Sequence, residues 1–377
     1  MPLDKQSTTL RQSPYNDDFD ESKNFHRVLF KPSVAVQARE LTQLQTILQN
    51  QIERFGDNIY QTGTIIKGCS LITDDQYFYV KLFDLQPSGE SYTIGGMVNT
   101  YVVDSTSNLT ALVVNFAPGG QQLDPDLNTL YLKYLNTGTS GQKQYSNNSV
   151  LTVFDRTYRV ETVTVADGGT LYSNSDVVSF VSNTGSGAVG QIITYANGTI
   201  RSVSVTEHGS GYFEAPTASI ATSTGTGASL SVANYIAQVQ VANSTYNASG
   251  NSSPVGRGTA IKTSDGVIYQ KGHFVRVQAH EQILSKYDTT PNGVSVGFVT
   301  SEAVVNSNSD QTLLDNATGT SNYTAPGADR LKLVANLSVI TTSAAASNNE
   351  FLTLYEYEGG RVVKDRTITQ FNSVSRE

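Results

Sequence analysis

The chain has no tryptophan, two methionines and one cysteine, Cys69, among its 377 residues. A single thiol excludes an intrachain disulfide, and with only four histidines a Cys/His-rich zinc domain is excluded as well. Charge is scarce too: 15% of the residues are Asp, Glu, Lys or Arg, and the net charge is −8. An acidic chain without a long basic run lacks the cations that neutralise phosphates, so no nucleic-acid partner is expected. No apolar run approaches the ~20 residues that span a bilayer, so no membrane span is expected. The opening MPLDKQSTTLRQSPYNDDFDE has no apolar core, which gives the expectation of a chain made in the cytosol without a secretory signal. Apolar residues nevertheless make up 38% of the chain, enough to bury a sizeable core and to exclude disorder.

What is abundant is Asn, Ser, Thr, Gly, Val and Tyr, with 31 glycines and 20 tyrosines. β-branched residues and Tyr suit half-buried strands, and Asn, Gly and Ser suit the turns between them. The expected fold is mainly β, a multidomain β-sandwich or β-module protein with one N-terminal amphipathic helix. The expected organisation is an extended arm over 1–32, a helix and anchoring region over 33–68 and a β domain over 69–158. A repeat module over 159–235 and a C-terminal β domain over 236–377 complete it.

The helix is expected over Ser33–Phe55, between Pro32 and Gly56, where neither Gly nor Pro interrupts. Val34, Gln37, Leu41, Leu44, Leu48, Gln51 and Phe55 recur at 3-4-3-4 spacing, a heptad stripe, with Ile47 and Ile52 on its flank. Gly56 is the expected C-terminal stop. Two readings fit: a single helix docked on its own domain, or a helix packing around a symmetry axis, with a polar seam residue setting register. The preceding arm, NDDFDESKNFHRVLF, carries Tyr15, Phe19, Phe25 and Phe30 as candidate anchors. Asn16, Asp18 and Asp20 alternate as calcium ligands do, but the glycine and the twelfth-position glutamate of a calcium loop are missing.

An internal repeat occupies the middle. RVETVTVADGGTLYSNSDVVSF from Arg159 answers TIRSVSVTEHGSGYFEAPTASI from Thr199 at an offset of about 40 residues. Val163 and Val165 answer Val203 and Val205; Gly169 and Tyr172 answer Gly209 and Tyr212; Thr184–Ala188 answers Thr224–Ala228. Two copies are too few for a solenoid, so a compact module formed by the pair is expected. Gly185, Gly187 and Gly190 fit the dinucleotide string, but the residues after Gly190 read as strand, Asn197-Gly198 turn and strand, without the helix that string requires.

The remaining chemistry is sparse. His273 and His280 are expected on opposite faces of one strand, His208 in a turn between repeat strands and His26 in the arm. Asp74-Asp75 and Asp124-Pro125-Asp126 read as turns, although paired carboxylates can serve glycoside hydrolysis at the right separation. Asn-x-Ser/Thr strings at Asn108, Asn243 and Asn316 mean nothing without a secretory route. No nucleophile elbow, zinc-protease helix or phosphate-cradling loop occurs. No catalytic residue, cofactor or metal site is expected.

YNDDFDESKNFHRVLFKPSVAVQARELTQLQTILQNQIERFGDNIY closely resembles the opening of a family of virion structural proteins from T4-like cyanophages and other contractile-tailed phages. Val36–Gln45 is the most specific part; Gly266–Val277, Val296–Glu302 and Leu313–Leu333 agree as well. The family is described as a domain of unknown function and grouped with baseplate and tail-fibre proteins. The resemblance implies a virion-located, non-enzymatic tail component, made in the host cytoplasm and anchored by its arm and helix. It further implies a homotrimer whose partners are other baseplate or tail-fibre proteins, with Phe25, Phe30, Leu41, Leu44, Leu48, Gln51 and Phe55 at the interface. The repeats lie outside the resemblance and look like an insertion. Two other readings stay open: an adhesin whose exposed tyrosines bind host-surface glycans, and a cell-wall or capsule hydrolase.

Overall fold

The structure, a computed structural model, describes residues 10–120, 127–139, 141–243 and 253–367. It is mainly β, with several sheets and one long helix, Ala38–Ile59. The chain divides into two compact units, Met1–Asp75 with Thr259–Glu377, and Gln76–Gly258. The chain therefore passes between units within the strands Leu71–Leu82 and Val255–Thr263, whereas the composition suggested boundaries near 68 and 235.

In the first unit, the strands Thr64–Gly68, Gly266–Gln270 and His273–Val277 form a three-stranded antiparallel sheet in that order. A four-stranded sheet runs Arg330–Thr341, Val294–Val305, Phe351–Glu358, Arg361–Asp365. Side chains of both sheets, among them Ile65, Ile268, Val275, Phe298, Leu337 and Leu354, share one core. Cys69 is buried in that core, and burial pushes its thiol up to about 11.

The helix starts later and ends later than its stripe suggests. Ser33 has φ of 64°, a left-handed conformation that cannot open a right-handed helix. The first turn instead forms at Gln37, whose backbone N–H donates to the Glu40 carboxylate at 2.9 Å, the return bond of a capping box. At the other end the helix runs through Gly56 to Ile59. Gly56 is thus not a stop: a Cβ there would overlap the ring of Tyr269, so glycine lets the helix lie directly on the sheet.

In the second unit, strands run in the order Ala237–Gln240, Val150–Phe154, Tyr101–Asp104, Leu109–Ala117, Asn128–Tyr134 and the Phe78–Leu82 end of Leu71–Leu82, all antiparallel. Alternating residues such as Leu109, Ala111 and Val113, and Leu151 and Val153, point into one core. The repeat module leaves this sheet after Val150–Phe154 and returns at Ala237–Gln240, two strands that pair with each other.

The two repeats exchange strands. Val177–Val181 of the first copy pairs with Thr217–Ala221 of the second, centred on Ser179 opposite Ser219. Ser186–Thr194 pairs with Ile200–Ser210, and Thr226–Ala233 reaches back to Thr162–Thr170. These last two ladders are equivalent under the repeat: Ala188 faces His208 as Ala228 faces Gly168, and both ladders carry a bulge at the same place. Tyr212 covers Gly185 and accepts the Ala188 N–H at 3.1 Å; Tyr172 covers Gly225 and accepts the Ala228 N–H at 3.3 Å. A Cβ on either glycine would overlap the ring, which explains why Thr-Gly recurs in both copies. Gly185–Gly190 continues into the strand Ser186–Thr194, and the segment is strand, turn, strand.

Because the module begins and ends on paired strands, its removal is expected to be tolerated. A chain joining Tyr158 directly to Ile236 should close a hairpin and keep a cooperative thermal transition by circular dichroism. Loss of that transition would show that the repeats support the sheet they leave.

Candidate functional site

The candidate site is the helix Ala38–Ile59 with the arm before it. One side of the helix is spent on its own unit. Gln49 Nε2 donates to the Gly272 carbonyl at 2.8 Å, and the Tyr269 hydroxyl lies 2.9 Å from the Glu53 carbonyl and 2.7 Å from Asp57 Oδ1. Burial and the Asp57 carboxylate together push the Tyr269 phenol up. The hairpin that carries Gly272 turns through Lys271 and Gly272, at φ of 54° and 75°, the two positive values of a tight hairpin turn.

The arm covers a second flank. Asp17, buried, accepts the Thr46 hydroxyl at 2.5 Å and the Phe19 N–H at 3.0 Å. Asp18 bridges Arg39 at 2.9 Å and Gln43 at 3.0 Å, and Glu21 pairs with Arg54. Asp20 accepts the Ser22 hydroxyl and N–H, which hold its carboxyl below the usual range. The alternating acids that suggested calcium ligands are thus occupied with the helix and a local cap. Among the described residues, no group of three or more His, Cys, Asp or Glu is placed to hold a metal ion.

The third side is apolar and open. Leu41, Leu48, Ile52 and Phe55 are 52%, 57%, 47% and 64% exposed; Gln51 is exposed and Leu44 half-buried. Leu41, Leu44, Leu48, Gln51 and Phe55 share this helix face, as their spacing requires. Of the two flanking isoleucines only Ile47 is buried, beneath the arm. Phe25 is exposed and, with Ile47, Gln51 and Arg54, lines a small cavity beside the stripe. Phe30 is exposed in the extended segment before the helix, as are Leu29, Val34 and Val36. Tyr15 and Phe19 face inward by comparison, Tyr15 donating to Asp329 at 2.6 Å.

The scattered polar candidates have ordinary roles. His273 and His280 open two separate strands rather than sharing one. His208 lies in the strand Ile200–Ser210, not in a turn, and its Nδ1 hydrogen-bonds the Val160 carbonyl at 2.5 Å. Asp74-Asp75 is strand as well, with Asp74 paired to Lys262 at 3.1 Å, a partner too distant in sequence to foresee. Asp124-Pro125-Asp126 lies outside the described residues. No helix among the described residues is long and apolar enough to cross a membrane.

The fold and this face together define a mainly β protein that holds one helix by its polar side and leaves its heptad side uncovered. Residues 13–117 and 234–377 match the family described as Domain of unknown function (DUF4815), and these blocks make up more than half of the chain. The chain belongs to that family. The stretch between the blocks contains the repeat module. No curated protein and no solved structure matches the chain.

Proposed function

We propose that the chain is a structural subunit of a contractile phage tail, in the baseplate or at a fibre base, built as a homotrimer through its arm and helix. The observation that carries this reading is the uncovered heptad stripe Leu41–Phe55, on a helix whose other sides are already docked. Its chemistry favours copies of itself. Gln51, set among Leu48, Ile52 and Phe55, both donates and accepts, so a second Gln51 at the same level satisfies it. The stripe residues and the flanking Gln45 and Ile52 carry no charge, so parallel copies bring no like charges together there. Leu41, Leu48, Ile52 and Phe55 are about half exposed, so covering them contributes roughly 1–2 kcal/mol each, against an association cost of about 4–15 kcal/mol. The exposed arm residues Phe25 and Phe30 add to that area, and β units presented outward suit a particle part assembled without disulfides. The reading assigns the chain no catalytic role and places it in the virion.

Size-exclusion chromatography with light scattering tests it. Wild-type protein is expected to be trimeric, and Leu48→Glu monomeric with an unchanged circular dichroism spectrum. Leu44→Asp should dissociate it too, through a buried charge, although Leu44 is already half-buried in the monomer. A monomeric wild type, or a trimeric Leu48→Glu protein, overturns the interface; normal incorporation of Leu48→Glu into purified particles overturns its role in the virion.

One observation favours glycan binding as a second reading. Tyr101, Phe154 and Phe213 pack around Tyr158 with ring centroids 4.7–5.7 Å from it, and Phe213 is 61% exposed. Sugars stack on such faces.

A further inference from the structure

The first unit carries a groove of about 340 Å³ that the helix does not touch. It is lined on one side by all six residues 332–337 and on the other by Arg276 and 278–280. Successive residues of a strand point to opposite faces, so a groove that meets six in a row runs along the strand's edge. That edge is open. Arg330–Thr341 pairs along its whole length with Val294–Val305 and is the outermost strand of its sheet, with no strand on its other side among the described residues. His273–Val277, which supplies Arg276, is likewise outermost in the three-stranded sheet. Six residues of strand give an open edge about 20 Å long.

The groove is also basic. Arg276, His280 and Lys332 line it, no acidic side chain does, and the chain as a whole carries −8. Arg276 and Lys332 are exposed, and neither makes a salt bridge among the described residues, although the Lys332 charge helps to hold the Asp310 carboxyl low. Unpaired backbone groups along an edge and cations without a salt bridge beside it have one occupant in common. We propose that the groove takes an extended acidic segment of a partner protein, added as a strand to the open edge of Arg330–Thr341. Main-chain hydrogen bonds would supply the affinity, and Arg276 and Lys332 the selection for acidic side chains. An anionic sugar chain would match the cations but leave the edge unpaired, so the peptide is the better fit. This inference is independent of the helix stripe and of the trimer.

The test uses the full-length protein and a fluorescent seven-residue peptide of alternating Glu and Val, followed by anisotropy at low salt. Binding is expected, weakened about tenfold or more by Arg276→Glu with Lys332→Glu. The same peptide N-methylated on alternate backbone nitrogens should lose binding to a similar extent, because its charges remain but its edge hydrogen bonds cannot form. Three results would overturn the proposal. Equal binding of the N-methylated peptide would mean that charge alone acts. A heparin-derived oligosaccharide that binds where the peptide does not would make the groove an anionic-glycan site. No binding of the Glu/Val peptide would leave Lys332 as a charge that merely guards an open edge against self-pairing.

Discussion

A Lys271→Met protein is expected to lose about 3–5 kcal/mol of stability at neutral pH, measured by urea unfolding. Lys271 Nζ lies 2.9 Å from Glu302 Oε1 and 2.9 Å from Glu350 Oε2, and the Lys271 and Glu302 side chains are 5% and 3% exposed. Taking the ammonium away leaves the buried Glu302 carboxylate without the cation that faces it. The cost comes from that stranded charge more than from the lost attraction, so Lys271→Met combined with Glu302→Leu should recover much of the loss. A double mutant no better than the single would place the cost in the hairpin turn instead.

The same site gives a pH dependence with a definite sign. Burial by itself lowers the Lys271 pKa, but hydrogen bonds to Glu302 and Glu350 outweigh it and hold the ammonium above the ordinary lysine value of 10.5. A cation whose pKa is raised on folding contributes fully below its unfolded value and loses that contribution as pH rises through the folded one. The stability gap between wild type and Lys271→Met should therefore be constant from neutral pH to about 10 and narrow above it.

Much of the fold was legible because it is local. Val163 and Val165, answered by Val203 and Val205, marked strands with one inward face, and they lie half-buried in Thr162–Thr170 and Ile200–Ser210. The 40-residue offset marked two copies of one unit, but that Thr-Gly recurs to leave room for a tyrosine ring shows only in the structure. What the offset could not carry is that the copies exchange strands, because Thr162–Thr170 and Thr226–Ala233 meet only in space. The helix boundaries failed for a related reason. Periodicity continued back to Val34, but the backbone at Ser33 turns left-handed, a choice made by the chain around it rather than by the stripe. Of the candidate site, the heptad stripe was legible, but neither its exposure nor the docked face was. Gln49, Glu53 and Gly56 follow no apolar pattern, and their partners Gly272 and Tyr269 lie more than 200 residues away.

Gly56 separates these two faces experimentally. By helix propensity alone, Gly56→Ala inside Ala38–Ile59 should stabilise the protein by about 1 kcal/mol. The structure demands the opposite sign. Tyr269 is fully buried, its hydroxyl is held between the Glu53 carbonyl and Asp57, and its ring packs at 5.1 Å from Phe274 and 6.1 Å from Tyr60. With the ring pinned at both ends, an added methyl has to lift the helix, and the strain should exceed the propensity gain. Gly56→Ala is therefore expected to lower the melting temperature, and Gly56→Leu to cost about 3 kcal/mol. Shortening the obstacle should relieve it: Gly56→Ala should cost less in a Tyr269→Leu background than in wild type, a coupling that a double-mutant cycle reads directly. A Gly56→Ala protein more stable than wild type would mean that the helix only rests near the sheet. If the sign is as expected, one further result ties packing to assembly. Gly56 sits on the flank of the heptad stripe, about 100° around the helix from Phe55, yet Gly56→Leu should weaken the proposed trimer as well, because a helix that no longer lies on Tyr269 cannot present Leu41, Leu48 and Phe55 in register.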